Sequence, residues 1–102
     1  MSLDESQFAA LADPLLERLS VAIEDGRDDA DVDYESGVLT VSLSDDATWV
    51  INKQSAAREI WVASPKSGAH HFLWNGGAWV STRDPARALL PLLSDEFGLR
   101  LG

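Results

Sequence analysis

Hydrophobic residues in this chain recur with a period near 3.6 at both ends and a period of two between them, and that double switch constrains the fold more than any other feature. At the N-terminal end Phe8, Leu11, Leu15, Leu19 and Ile23, joined by Ala12 and Ala22, trace one helical face, and Glu17 and Arg18 fall away from it. Asp4 is placed to cap this helix with Gln7 as the returning member of a capping box, while Leu3 and Phe8 stand at the two positions of a hydrophobic staple. The helix should therefore start at Glu5 and end near Asp25 or Gly26. Pro14 is the discordant residue, because an interior proline forfeits a backbone hydrogen bond at about 3 kcal/mol. Either Asp13-Pro14 restarts the helix or one helix bends there, and the single bent helix is the expectation.

Between the ends the pattern is that of short strands. Ala30, Val32 and Tyr34 alternate with Asp31, Asp33 and Glu35, and Glu35-Ser36-Gly37 supplies turn chemistry. Residues 38–43 then place Leu39, Val41 and Leu43 on one face, which predicts a hairpin. After a turn at 44–47, residues 48–54 oppose Trp49 and Ile51 to Val50, Asn52 and Gln54, and residues 59–63 oppose Ile60 and Val62 to Trp61. A loop is expected over 64–69, then a strand over 70–74, a Gly76-Gly77 turn and a short strand around Trp79 and Val80. The last helix is predicted to have Asp84 as cap and Pro85 in its first position, with Leu89, Leu90, Leu93 and Phe97 as apolar face and Gly98 as stop, leaving Pro91 as an interior conflict. The sum is one domain over residues 1–102, an α+β fold built as a two-layer α/β sandwich. Both terminal helices pack on one face of an antiparallel sheet of about six strands, and the other face stays open.

Charge is the second constraint. With 17 acidic against 8 basic residues the formal charge is −9, which repels nucleic acid and anionic membranes and favours cations or basic protein surfaces. Zero cysteines exclude a disulfide framework, a thiolate metal site and a role as covalent sulfur carrier. No stretch has the apolar length of a membrane span and the N-terminus is not signal-like, so a soluble, cytoplasmic bacterial protein is expected.

The acids concentrate in residues 24–35, where the first helix ends and the first strand begins. Glu24 and Asp25 fall at the negative end of a helix dipole, which disfavours each by about 0.3–1 kcal/mol. Asp31, Asp33 and Glu35 share one strand face at roughly 6–7 Å spacing. Folding has no use for such a patch, which serves solubility or receives something cationic. Oxygen ligands without cysteine or clustered histidine suit iron, manganese, calcium or magnesium, bound weakly and exchangeably. Asp29, Asp31 and Asp33 copy the start of an EF-hand loop, but Tyr34 stands where its glycine belongs and Thr40 where its bidentate glutamate belongs, so that reading fails.

Trp49-Val-Ile-Asn-Lys-Gln54 and Glu59-Ile-Trp-Val-Ala-Ser-Pro-Lys-Ser-Gly68, preceded by Gly37-Val-Leu-Thr-Val41 and the acidic run and set between two helices, resemble frataxin, including its bacterial forms, over essentially the whole chain. The resemblance implies an α-β sandwich that binds iron weakly through surface carboxylates and modulates iron-sulfur cluster assembly by docking on a cysteine desulfurase and its scaffold protein, with no organic cofactor. The candidate metal ligands are Glu17, Glu24, Asp25, Asp28, Asp29, Asp31 and Asp33. Relatives carry further acids on the last turns of the first helix, where this chain has Ser20 and Val21, and Arg27 interrupts the run. Strand parity gathers Asn52, Gln54 and Trp61 on the open face, and an aromatic flanked by amides is the composition of a binding hot spot. In frataxins the matching residues contact the assembly machinery.

His70 and His71 are adjacent, so in a strand they point to opposite faces and cannot share one ion. No serine has a base-and-orienter pattern and no glycine run forms a phosphate loop. The expected protein is not an enzyme. The alternative is a ferroxidase or iron store using Glu17, Glu24, Asp25, Asp28 and the strand acids. It ranks lower because such centres are normally built inside helical bundles from inward glutamate and histidine. A general acidic docking module for basic proteins ranks third. A monomer is expected, with an iron-dependent oligomer as its variant.

Overall fold

The computed structural model describes residues 3–101. Its elements run α1 (Glu5–Gly26), β1 (Asp31–Glu35), β2 (Val38–Ser42), β3 (Thr48–Gln54), β4 (Glu59–Ser64), β5 (Gly68–Trp74), β6 (Trp79–Ser81) and α2 (Leu89–Phe97). The six strands form one antiparallel sheet in sequence order, β1 to β6. Each strand pairs with the next because the turns between them are short; in the first, Ser36 (φ 52°) and Gly37 (φ 78°) both take the left-handed conformation that a two-residue hairpin requires.

Helix α1 is one continuous helix of 22 residues, opened by the reciprocal capping box of Asp4 and Gln7. Pro14 lies inside it on the solvent side. The C-terminal helix departs from expectation. It starts at Leu89, with Ala88 as N-cap, and not at Pro85. The sheet holds the preceding segment in place: Ser81 N–H donates to Arg87 O at 2.8 Å and Val80 bridges Ala88. Asp84, predicted as the cap, instead closes a turn by accepting from Ala86 N–H at 3.1 Å and, through its carbonyl, from Arg87 N–H at 2.9 Å. The shift also dissolves the Pro91 conflict, since Pro91 now occupies the third helical position, whose N–H has no intrahelical partner in any case. The 64–69 loop is shorter than predicted too, because Gly68 and Ala69 pair with Ser64 and Ala63.

One face of the sheet packs on both helices. Leu39, Val41, Trp49, Ile51, Ile60, Val62, Phe72 and Trp79 are buried against Phe8, Ala12, Leu15, Leu16, Leu19 and Ile23 of α1 and Leu89, Leu93 and Phe97 of α2. Aromatic contacts fix each helix to the sheet, Phe8 edge-on to Trp79 at 5.9 Å and Phe97 tilted on Trp49 at 4.4 Å. Gly26, the last residue of α1, lies close against Leu99: a Cβ there would stand 2.7 Å from Leu99 Cδ2. No helix of the described residues is long and apolar enough to cross a membrane.

Candidate functional site

The acidic run lies along the β1 edge of the sheet and the end of α1 beside it. Val32 and Tyr34 turn toward the helices, so Asp31, Asp33 and Glu35 are exposed on the open face. At the spacing of alternate strand residues, two such charges repel by about 0.6 kcal/mol in water. A divalent cation between them reverses the sign of that balance. Glu24 and Asp25 are exposed at the end of α1, whose last turn holds no basic residue. Glu17, two turns earlier on the same side of the helix, borders the strand. Tyr34 registers it there: burial raises the phenol pKa, and the charges of Asp13 and Glu17 raise it further against the pull of Lys53. Asp28 is exposed in the intervening turn.

Asp29 is different. The Arg27 fork grips it from Nε and Nη2, both at 2.8 Å, and this pairing holds its carboxyl below the usual range. Arg27 Nη1 also donates to Phe97 O at 2.9 Å, so the cation that interrupts the run ties α1 to the end of α2. Of the seven candidate ligands, Asp29 alone makes an ion pair among the described residues. Nor do three carboxylate or imidazole groups converge there into a closed metal centre. Exposed oxygen donors strung along an edge fit a cation that keeps much of its water.

The register extends this edge across the sheet. Glu35 is opposite Val38, Val38 opposite Asn52, Asn52 opposite Trp61, and Trp61 opposite His71, making one lateral row on the open face. Gln54 follows two residues along β3, opposite Glu59. The structure thus brings Asn52, Gln54 and Trp61 together, while Lys53 between the amides points to the helix side and pairs with Asp13 at 2.5 Å. The Trp61 ring lies flat on His71 (centroids 4.3 Å, planes 10° apart), and its Nε1–H donates to Glu59 Oε1 at 2.8 Å. His71 Nδ1 is 3.8 Å from the same oxygen. A partly buried indole is therefore held by a stack on one face and a hydrogen bond at its edge. Sequence reading missed Glu59 and His71 as its supports, although strand parity puts both on its face.

It also missed Glu96. This α2 residue is 8% exposed, and its Oε1 accepts from Trp49 Nε1 at 2.8 Å and Ser64 Oγ at 2.6 Å, its Oε2 from Ser67 Oγ at 2.5 Å. Burial pushes the carboxyl pKa up, but the hydrogen bonds of Ser64, Ser67 and Trp49 outweigh it and the net shift is downward. Because Ser67 donates to Glu96, it accepts from His70 Nε2–H at 2.8 Å. Burial, and then the charge of Arg87, depress the pKa of this buried imidazole. The Ser-Pro-x-Ser-Gly motif is thus the turn that fastens β4 and β5 to α2, behind the Trp61 face.

A model of the frataxin-like domain matches residues 1–102. The chain is 41% identical over 90 residues, 85% of its length and 83% of the relative's, to the iron-sulfur cluster assembly protein CyaY of Dechloromonas aromatica. It is 39% identical over 103 residues, 94% of its length and 65% of the relative's, to the mitochondrial frataxin homologue of Schizosaccharomyces pombe. Among solved structures, frataxin from Psychromonas ingrahamii superposes with TM-score 0.81 at 29% identity, covering 92% of this chain and 88% of that one. Trimeric frataxin of Saccharomyces cerevisiae in a ferrous complex superposes with TM-score 0.77 at 32% identity, covering 96% and 86%.

Proposed function

We propose that this chain, which belongs to the frataxin-like family, takes part in iron-sulfur cluster assembly as a non-catalytic, iron-binding regulator that docks on the cysteine desulfurase and its scaffold protein. The observation that carries the reading is the continuity of one open sheet face, with exposed carboxylates at the β1 edge and an immobilised tryptophan flanked by amides in the same lateral row. The relative named for cluster assembly and the neighbour in a ferrous complex support the process and the metal. Iron(II) is cargo in this account. Glu24, Asp25, Asp28, Asp31 and Asp33 attract it along this edge, with Glu17 adding charge, while the face around Trp61 engages the protein partner.

The two halves are separable by mutation. Trp61→Ala removes the aromatic anchor without touching the helix-facing core, so folding and iron(II) binding persist. Affinity for the desulfurase–scaffold complex should fall by roughly tenfold or more, the loss usual for a buried aromatic anchor. Unchanged affinity in a binding titration would refute the docking half. A ferroxidase built from the same carboxylates is the rival, and their exposure, with no three of them converging among the described residues, disfavours it.

A further inference from the structure

At the far edge of the sheet from the acidic run, the residues of β5, the 65–67 turn and the loop over 81–87 enclose a cavity of about 400 Å³. Its character is opposite to the rest of the molecule. Arg83 and Arg87 both line it, together with Ser67, His70, His71 and Thr82. The loop that carries the two arginines does not need them to hold its shape. Thr82 N–H donates to His71 O at 2.9 Å and Ser81 N–H to Arg87 O at 2.8 Å. Ser81 Oγ accepts from the backbone N–H of Arg83 at 3.2 Å and of Asp84 at 3.3 Å.

The guanidinium groups are left free. Of the eight basic residues, Arg27, Lys53, Arg58 and Lys66 each donate to a protein oxygen, whereas the side chains of Arg18, Arg83, Arg87 and Arg100 do not among the described residues, and of these four Arg83 and Arg87 alone line this cavity. Arg83 and Arg87 make neither a side-chain hydrogen bond nor an ion pair among the described residues. Asp84 lines the same cavity, yet its carboxylate is turned to Ala86 N–H and pairs with neither. Beside the cavity, burial and then the charge of Arg87 hold the His70 pKa below its ordinary value, against Glu96, which raises it.

We propose that this cavity binds a small multivalent oxyanion, a phosphate or a polycarboxylate, gripped by the two guanidinium forks with the Thr82 hydroxyl as a further donor. Planar forks match paired oxygens on such an anion, and unpaired arginines in a concave site are how proteins commonly recognise them. The overall negative charge does not forbid it. Four strand spacings separate β1 from β5, about 19 Å, which is roughly twice the screening length at physiological salt. The site is independent of the iron proposal, since no candidate metal ligand lines it.

The test uses the full chain at neutral pH and constant ionic strength, titrated separately with inorganic phosphate and with citrate against a chloride control while amide NMR shifts are recorded. Saturable shifts at His70, Thr82, Arg83 and Arg87 with either anion, weakened by roughly tenfold or more in the Arg83→Gln/Arg87→Gln double variant, support the site. Response to phosphate alone identifies a phosphoryl ligand, to citrate alone a polycarboxylate, and to both a site that reads charge. The Arg100→Gln control, outside the cavity, should bind as the parent does. Shifts no larger than with chloride, or equal shifts in the double variant, overturn the proposal, and unchanged thermal unfolding of that variant excludes misfolding as the cause of a loss.

Discussion

Replacing Glu96 by alanine should unfasten the β4–β5 turn from α2, and the size of the effect follows from what the carboxylate touches. Trp49 is fully buried, and its Nε1–H has Glu96 as its only acceptor among the described residues, so orphaning it costs about 1–3 kcal/mol. The Ser64 and Ser67 hydroxyls are only partly buried and can turn to water, at roughly 0.5–1.5 kcal/mol each. Glu96→Ala is therefore expected to lose roughly 2–6 kcal/mol, a large share of the 5–15 kcal/mol by which small domains are stable. Glu96→Gln keeps a carbonyl for Trp49 and Ser64 but turns an NH₂ toward Ser67, which already accepts from His70. Its loss should be about 1–2 kcal/mol. Urea unfolding followed by tryptophan emission measures both, with the midpoint falling at unchanged slope. For a chain of this length the alanine variant should also melt at least about 8 °C lower. If Glu96→Ala lies within about 0.5 kcal/mol of the parent, the buried network is not what holds the turn.

Other outcomes follow from the same contacts. Arg27→Ala removes the donor to Phe97 O, at about 1–2 kcal/mol of stability, and frees Asp29. Deleting that nearby positive charge should tighten iron(II) binding about fourfold, and calorimetry showing unchanged or weaker binding would contradict the placement of the metal. Acid should destabilise the fold in two stages. His70 has a folded pKa below its ordinary 6.5, so its contribution is complete above 6.5 and declines as the unfolded chain protonates first. Glu96 has a folded pKa below its ordinary 4.5, so its contribution is complete above 4.5 and is lost as pH falls through the folded value. Urea midpoints measured across pH should show both declines, and His70→Gln should abolish the first and leave the second. Aerobic iron(II) at one equivalent should oxidise no faster with the protein than in buffer; clear acceleration would favour a ferroxidase.

The elements that periodicity controls were legible. Capping chemistry at Asp4 and Gln7 set the start of α1, and the alternation in 48–54 put Asn52 and Gln54 on the face of Trp61, because one register serves the whole ladder. The start of α2 was not. Asp84-Pro85 has the composition of a helix start, but a bridge from Val80 to Ala88 keeps the chain extended past it, and that bridge is a tertiary contact no local pattern encodes. Glu96 was half legible. It lies three residues beyond Leu93 and next to Phe97, on the buried side of α2, and that position signals a charge in need of partners. The partners, Ser64 and Ser67, come from a turn about thirty residues away. The metal candidates were readable as a charge excess, whereas the pairing of Asp29 with Arg27 depends on a side-chain conformation.

The central claim is that cations are held by the acidic edge and nowhere near the histidines. Anaerobic titration of iron(II) with amide NMR detection tests it directly. The account predicts shifts and broadening confined to residues 24–33 and the adjoining side of α1, reduced in an Asp31→Asn/Asp33→Asn variant. Perturbations centred on His70 and His71, or an undiminished response in that variant, would contradict it.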